Sequence, residues 1–138
     1  MIELSNTNAQ VLAPGQSATF DIVILHTGCA ECHRNNSGAV ALTQNNAIYE
    51  LSYNANIGNT AAGDAQLGLS LDSTPLPETN AITVTATAGD LANVSASTFV
   101  RTCCCGNGGI VTLTNTGTTT INLAANSRLS IKRIKRIA

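Results

Sequence analysis

The sequence predicts an all-β fold: a two-sheet antiparallel jelly-roll sandwich of about nine to ten short strands. Three observations predict it. Short segments alternate apolar and polar residues with a period of two, turn residues separate them at regular intervals, and no segment carries a 3.6-residue apolar period long enough for a crossover helix. The 138 residues suit one domain, 1–138, with 1–12 as an N-terminal arm or first strand and 134–138 as a basic C-terminal tail.

Taken in order, residues 18–25 are rich in β-formers and follow the turn signal Pro14-Gly15-Gln16. A short strand over 39–42 lies between two Asn-rich turns. Over 48–55, Ile48, Glu50, Ser52 and Asn54 alternate with Tyr49, Leu51, Tyr53 and Ala55, so the two tyrosines and Leu51 share a face. A polar loop, 56–64, leads to a strand over 66–71 with Leu67, Leu69 and Leu71 on one side. Pro75 and Pro77 make the next link an edge or loop. Strands follow over 82–88, with Ile82 and Val84 opposite a row of threonines, and over 94–102. Three more cover 110–115, 118–123 and 128–137. Ile131, Ile134 and Ile137 recur every third residue, which breaks strand alternation and suggests that the extreme C-terminus leaves the sheet to reach a neighbour.

Composition bounds the function. Charged residues are 11 %, against about 25 % in typical globular domains. A surface short of Lys and Glu is poorly protected against association, which favours a protein that lives in an assembly. Aromatics are only Phe20, Tyr49, Tyr53 and Phe99, so Val, Ile, Leu and Ala must build the core. Five of the seven basic residues, Arg128, Lys132, Arg133, Lys135 and Arg136, cluster at the end without interleaved aromatics. That pattern reads as a solvated charged strand, and nucleic acid is not an expected partner. No apolar stretch is long enough for a membrane span, and the N-terminal residues lack the pattern of an export signal.

Three segments resemble a known family. Leu12-Ala13-Pro14-Gly15-Gln16-Ser17-Ala18-Thr19-Phe20-Asp21 is similar to the first strand of the C1q/TNF-like jelly rolls of bacterial and phage proteins, and Asn46-Ala47-Ile48-Tyr49-Glu50-Leu51-Ser52-Tyr53 resembles their tyrosine strand. Leu129-Ser130-Ile131-Lys132-Arg133-Ile134 resembles their last strand. Two departures stand out: Asn46 and Ala47 occupy positions where the family usually has Gly, and there is no collagen-like Gly-X-Y repeat. The resemblance implies a compact homotrimer, in which the Tyr49/Leu51/Tyr53 face or the Ile82/Val84 strand would line the three-fold axis. It further implies a virion protein of a bacteriophage, a head-decoration or fibre-type subunit made in the host cytoplasm and displayed on the particle. The alternatives are a bacterial spore- or cell-surface domain of the same family and a module whose loops 56–64 and 72–80 bind a host-surface glycan or receptor.

The cysteines allow several chemistries. Cys29-Ala30-Glu31-Cys32-His33 has the C-x-x-C-H form of c-type haem attachment, but His26 and Met1 are poor second axial ligands. Structural zinc on Cys29, Cys32, Cys103 and Cys104 is a second reading, although consecutive cysteines on a strand point to opposite faces. Disulfides among Cys29, Cys32, Cys103, Cys104 and Cys105 are favoured, tying the first loop to the Gly-rich turn after Cys105 and leaving one thiol over; reduced cysteine is the fourth case. No cofactor is expected otherwise. The eight carboxylates are scattered, and no nucleophile has both a base and an orienting group, so no enzymatic activity is expected.

Overall fold

The computed structural model describes residues 1–102 and 109–137. These residues form an all-β sandwich of two antiparallel sheets. The strands, in chain order, are β1 (Ile2–Ser5), β2 (Gln10–Leu12), β3 (Ile22–His26), β4 (Glu31–His33), β5 (Val40–Leu42), β6 (Ala47–Asn59) and β7 (Gly63–Leu71). They continue with β8 (Thr74–Pro75), β9 (Ala81–Thr85), β10 (Ala92–Arg101), β11 (Gly109–Thr114), β12 (Ile121–Leu123) and β13 (Arg128–Arg136). A single 3₁₀ turn, Pro77–Thr79, precedes β9.

The larger sheet is organised around β6. Tyr53 pairs with Ala96 of β10 on one edge and with Leu129 of β13 on the other, while Ile57 pairs with Ala92 and with Leu123 of β12. Strands β12 and β13 therefore lie end to end along one edge of β6, and β10 takes the opposite edge. β1 adds to β13, and β3 adds to β1 as the outermost strand. The smaller sheet runs β4-β5-β11-β7, with β8 and β9 both pairing with β7. Ile2, Leu4, Leu51, Ile57, Leu67, Leu69, Leu113, Ile121, Leu129 and Ile131 fill the space between the sheets.

Four expectations are corrected. The polar loop over 56–64 shrinks to a tight turn, because β6 continues to Asn59 and β7 starts at Gly63. Asn59 builds that turn: its amide donates to the Asp64 carbonyl at 2.6 Å and its oxygen accepts from the Ala61 N–H at 2.9 Å. Gly58 is required where the Asp90 carbonyl crosses, since a Cβ there would sit 1.8 Å from that oxygen. The strand expected over 18–25 is two pieces. Ser17 bridges Thr114 on the smaller sheet, Ala18 and Phe20 cross the core fully buried, and only Ile22–His26 joins the larger sheet. The Cys/His segment expected as loop carries the edge strand β4. Finally, the C-terminus does not leave the sheet: a bulge between Arg133 and Lys135 absorbs Ile134, and β13 stays paired with β6 to Arg136.

Candidate functional site

Tyr49, Leu51 and Tyr53 point into the sandwich and are buried within one chain. The Tyr53 hydroxyl lies 2.7 Å from the Thr79 carbonyl and 3.0 Å from that of Leu67, and burial pushes its pKa up to about 12. The Tyr49 hydroxyl donates to the Ala30 carbonyl at 2.7 Å, and burial raises its pKa as well. These three residues cannot line an axis between subunits, because the sandwich already covers them. Ile82 and Val84 do lie on the surface, 62 % and 71 % exposed.

The opposite side of β6 supplies the face that a partner can reach. Cross-strand register sets Ser97 of β10, Ser52 of β6, Ser130 of β13, Glu3 of β1 and Leu25 of β3 in one row across five strands. The adjacent row is Ser95, Asn54, Arg128, Ser5 and Ile22, and on the other side Phe99, Glu50 and Lys132 align. Residues two apart on a strand share a face, so all three rows look away from the core. The serines leave a shallow groove of about 400 Å³ with Glu3 and Arg128 at its border, 3.4 Å apart. Beside it, the Asn93 amide donates to the side-chain oxygens of Asn54 and Asn56. The floor is thus made of short hydroxyls and amides that let another surface approach the backbone closely. Phe99, 64 % exposed, stands at the β10 margin of this face.

The cysteine end has a different character. Cys29 and Cys32 are exposed and form no disulfide among the described residues; they stand on either side of Glu31, whose buried carboxylate pairs with the Met1 amine at 2.9 Å. His33 is wedged between the carbonyls of Ala39 and Phe20, at 3.1 and 3.2 Å, so neither ring nitrogen is presented to a haem iron. The reading of Cys29–His33 as a haem site is set aside on that ground. Among the described residues, no three His, Cys, Asp or Glu side chains stand together as a metal site. Cys103, Cys104 and Cys105, named for both the disulfide and the zinc readings, lie outside the described residues. The register nonetheless places their flank near the other pair: Leu42 opposes Glu31 on one edge and Gly109 on the other. Glu31 and Gly109 are two strand spacings apart, about 10 Å.

Sequence reasoning missed several polar residues that fix this geometry. Asn115 is fully buried and donates to the carbonyls of Leu12 and Thr119, and the buried Asn6 accepts from the Ser127 N–H while donating to the carbonyls of Asn8 and Ala124. The signal available in the sequence was an asparagine beside a turn, which is common to all of the loops.

No family model matches the chain, and no curated protein matches its sequence. Solved structures do match in fold. Murine APRIL at pH 5.0 superposes with a TM-score of 0.67 at 12 % identity, covering 96 % of this chain and 97 % of that one. PRD1 vertex protein P5 superposes with a TM-score of 0.55 at 12 % identity, covering 97 % of this chain and 72 % of that one. The fold is the C1q/TNF-like jelly roll.

Proposed function

We propose that this chain is a non-enzymatic structural subunit of a bacteriophage particle surface, a head-decoration or fibre-type protein that assembles as a homotrimer through the outer face of its larger sheet. The observation that carries the reading is the Ser97–Ser52–Ser130 row, which spans β10, β6 and β13 with no charged side chain until Glu3. A monomeric surface is normally broken up by Lys and Glu; here the serine row carries neither across three strands, with Glu50 and Lys132 flanking it on one side and Arg128 on the other. Small side chains cost little ordering entropy on contact and allow close packing between sheets. The fold shared with a virion vertex protein supports the particle setting. Other virion proteins would be the partners at the particle, and the exposed Asn, Thr and Ser turns would face outward.

Native mass spectrometry and analytical ultracentrifugation test it. Wild type is expected as a trimer, and Ser52→Arg, which puts a long charged side chain at the centre of the row, is expected to sediment as a monomer that still unfolds cooperatively, its melting temperature lowered only by the subunit contacts it has lost. A monomeric wild type, or a Ser52→Arg protein that remains trimeric, would overturn the reading. If the groove instead holds a neutral glycan, Ser52→Arg would abolish glycan-array binding in a protein that was monomeric throughout.

A further inference from the structure

A second groove lies on the other side of the molecule, on the outer face of the smaller sheet. Leu67 and Leu69 of β7 and Leu113 of β11 are buried in the core, so Gly68, Ser70, Thr112 and Thr114 alternate to the outside. Thr112 is in register with Ser70, and Thr114 with Gly68. Ser17 bridges Thr114 from the other edge of β11, and Pro75 of β8 pairs with Ser70. The space between them is about 300 Å³, the lower end of the range of about 300–1,000 Å³ for small-ligand sites. Beside Gly68 the groove is closed. The Thr116 hydroxyl donates to the Asn80 side-chain oxygen at 2.9 Å and accepts from the Gln66 amide at 3.0 Å. That bridge crosses over Gly68, where a Cβ would sit 2.4 Å from the Asn80 oxygen.

Two features point to a ligand. Ser70 is only 3 % exposed, and its hydroxyl has no hydrogen-bond partner among the described residues. A buried hydroxyl is normally paired, and this one lines the groove. The second feature is a chain of hydroxyls. Ser17 Oγ lies 3.1 Å from Thr114 Oγ1, which lies 3.0 Å from Thr112 Oγ1. Three hydroxyls carry three protons and the two bonds use two of them, so one donor and several lone pairs remain for a ligand. Each hydroxyl rotates, so the chain can donate at either end. The lining also restricts the ligand. No charged side chain and no aromatic ring borders the groove. An ion would lose hydration there without gaining a counter-charge, and a flat apolar ligand would find little apolar surface to cover. Adjacent neutral hydroxyls suit a molecule that itself carries adjacent neutral hydroxyls, each both donor and acceptor.

We propose that this groove binds one residue of a neutral sugar, with Ser70 and the Ser17–Thr114–Thr112 chain hydrogen-bonded to neighbouring hydroxyls of its ring. The site lies on the sheet opposite the serine row and does not rest on the trimer. A trimer built through the larger sheet would leave this face free.

Amide chemical shifts of the full chain are followed as the methyl glycosides of glucose, galactose and mannose are added, with glucuronic acid and glucosamine as charged comparators. At least one neutral glycoside is expected to give saturable shifts centred on Ser17, Ser70, Thr112 and Thr114, and to bind more tightly than both charged sugars. Ser70→Ala removes no internal hydrogen bond, so it is expected to fold as wild type does and to bind about two- to tenfold more weakly, the loss of one neutral hydrogen bond. Thr114→Val breaks the hydroxyl chain at its middle and is expected to weaken binding by more than about tenfold. No saturable shift with any of the three neutral glycosides overturns the proposal. So do shifts centred on Ser52, Ser97 and Ser130, tighter binding of glucuronic acid or glucosamine, or a Ser70→Ala protein that binds as tightly as wild type. Sedimentation of the same samples keeps the two readings apart: a monomer that binds the sugar removes the trimer alone, and a trimer that binds none removes this site alone.

Discussion

The two faces of β6 use one strand in opposite ways. Its inward row is Tyr49, Leu51, Tyr53, Ala55 and Ile57, all buried; its outward row is Glu50, Ser52, Asn54 and Asn56, half-buried to exposed. A sandwich with 3 % aromatics has few large side chains to spend, and β6 spends both tyrosines of the chain inside. In a low-charge protein a prominent apolar stripe is first a core, and the row of small residues between is what β6 leaves at the surface.

The largest effect is expected from emptying the inward row. Tyr53→Ala is expected to cost about 3–5 kcal/mol, since it removes a buried aromatic ring and leaves the Leu67 and Thr79 carbonyls without their phenol partner. Chemical denaturation would read this directly. A loss below about 1 kcal/mol, the range of an ordinary surface substitution, would mean that the inward face is not the core.

A milder perturbation of the same residue uses pH. The Tyr53 phenol is pushed up to about 12 by burial, whereas an unfolded tyrosine titrates near about 10. Above about 10 the unfolded chain loses its proton first, so the stabilisation is complete below that pH and is lost as pH rises through about 12. The burial-raised Tyr49 acts in the same direction. Wild type should lose stability on alkaline titration, and Tyr53→Phe should show a shallower loss over the same window. Parallel titration curves for the two proteins would show that Tyr53 does not carry the effect.

Much of the fold was legible in the sequence because period-two alternation is a local signal. Ile48–Ala55 and Leu67–Leu71 declare their faces without reference to any other strand. The illegible parts depend on contacts distant in sequence. Asn56 and Asn59 read as loop residues, yet β6 runs through them because Leu123 and Ala92 pair with Ile57 from both sides. The three-residue isoleucine spacing of β13 looked like departure from the sheet, and only pairing with β6 reveals it as a bulge. The candidate face was the least legible part. Ser52, Ser97 and Ser130 are each unremarkable residues, and they become a row only through the registers of three strands. Which side of the Tyr49/Tyr53 alternation faces the core could not be settled by periodicity, which gives the two faces but not their assignment.

On the outward face the stability effects should be small even where assembly effects are large. Ser52→Ala keeps the row small and uncharged, and is expected to change subunit stability by less than about 0.5 kcal/mol and to leave the proposed oligomer intact. A large drop in melting temperature of the isolated subunit would show that this serine serves the core after all, and would erase the distinction between the two faces.

The smallest effect belongs to the border of that face. Arg128 and Glu3 approach to 3.4 Å, with the Arg side chain 62 % exposed and Glu3 more sheltered. An ion pair in that setting contributes about 0–1 kcal/mol, because water and salt screen the attraction and the long Arg side chain loses rotamer freedom. Arg128→Ala should therefore lower stability by no more than about 1 kcal/mol, and the difference from wild type should narrow as salt is added. If Arg128 also meets a neighbouring subunit across the serine row, the same substitution would weaken the oligomer more than it weakens the subunit. Comparing melting curves and sedimentation for this one variant therefore separates the two faces of β6 once more, by energy inside one chain and by contact between chains.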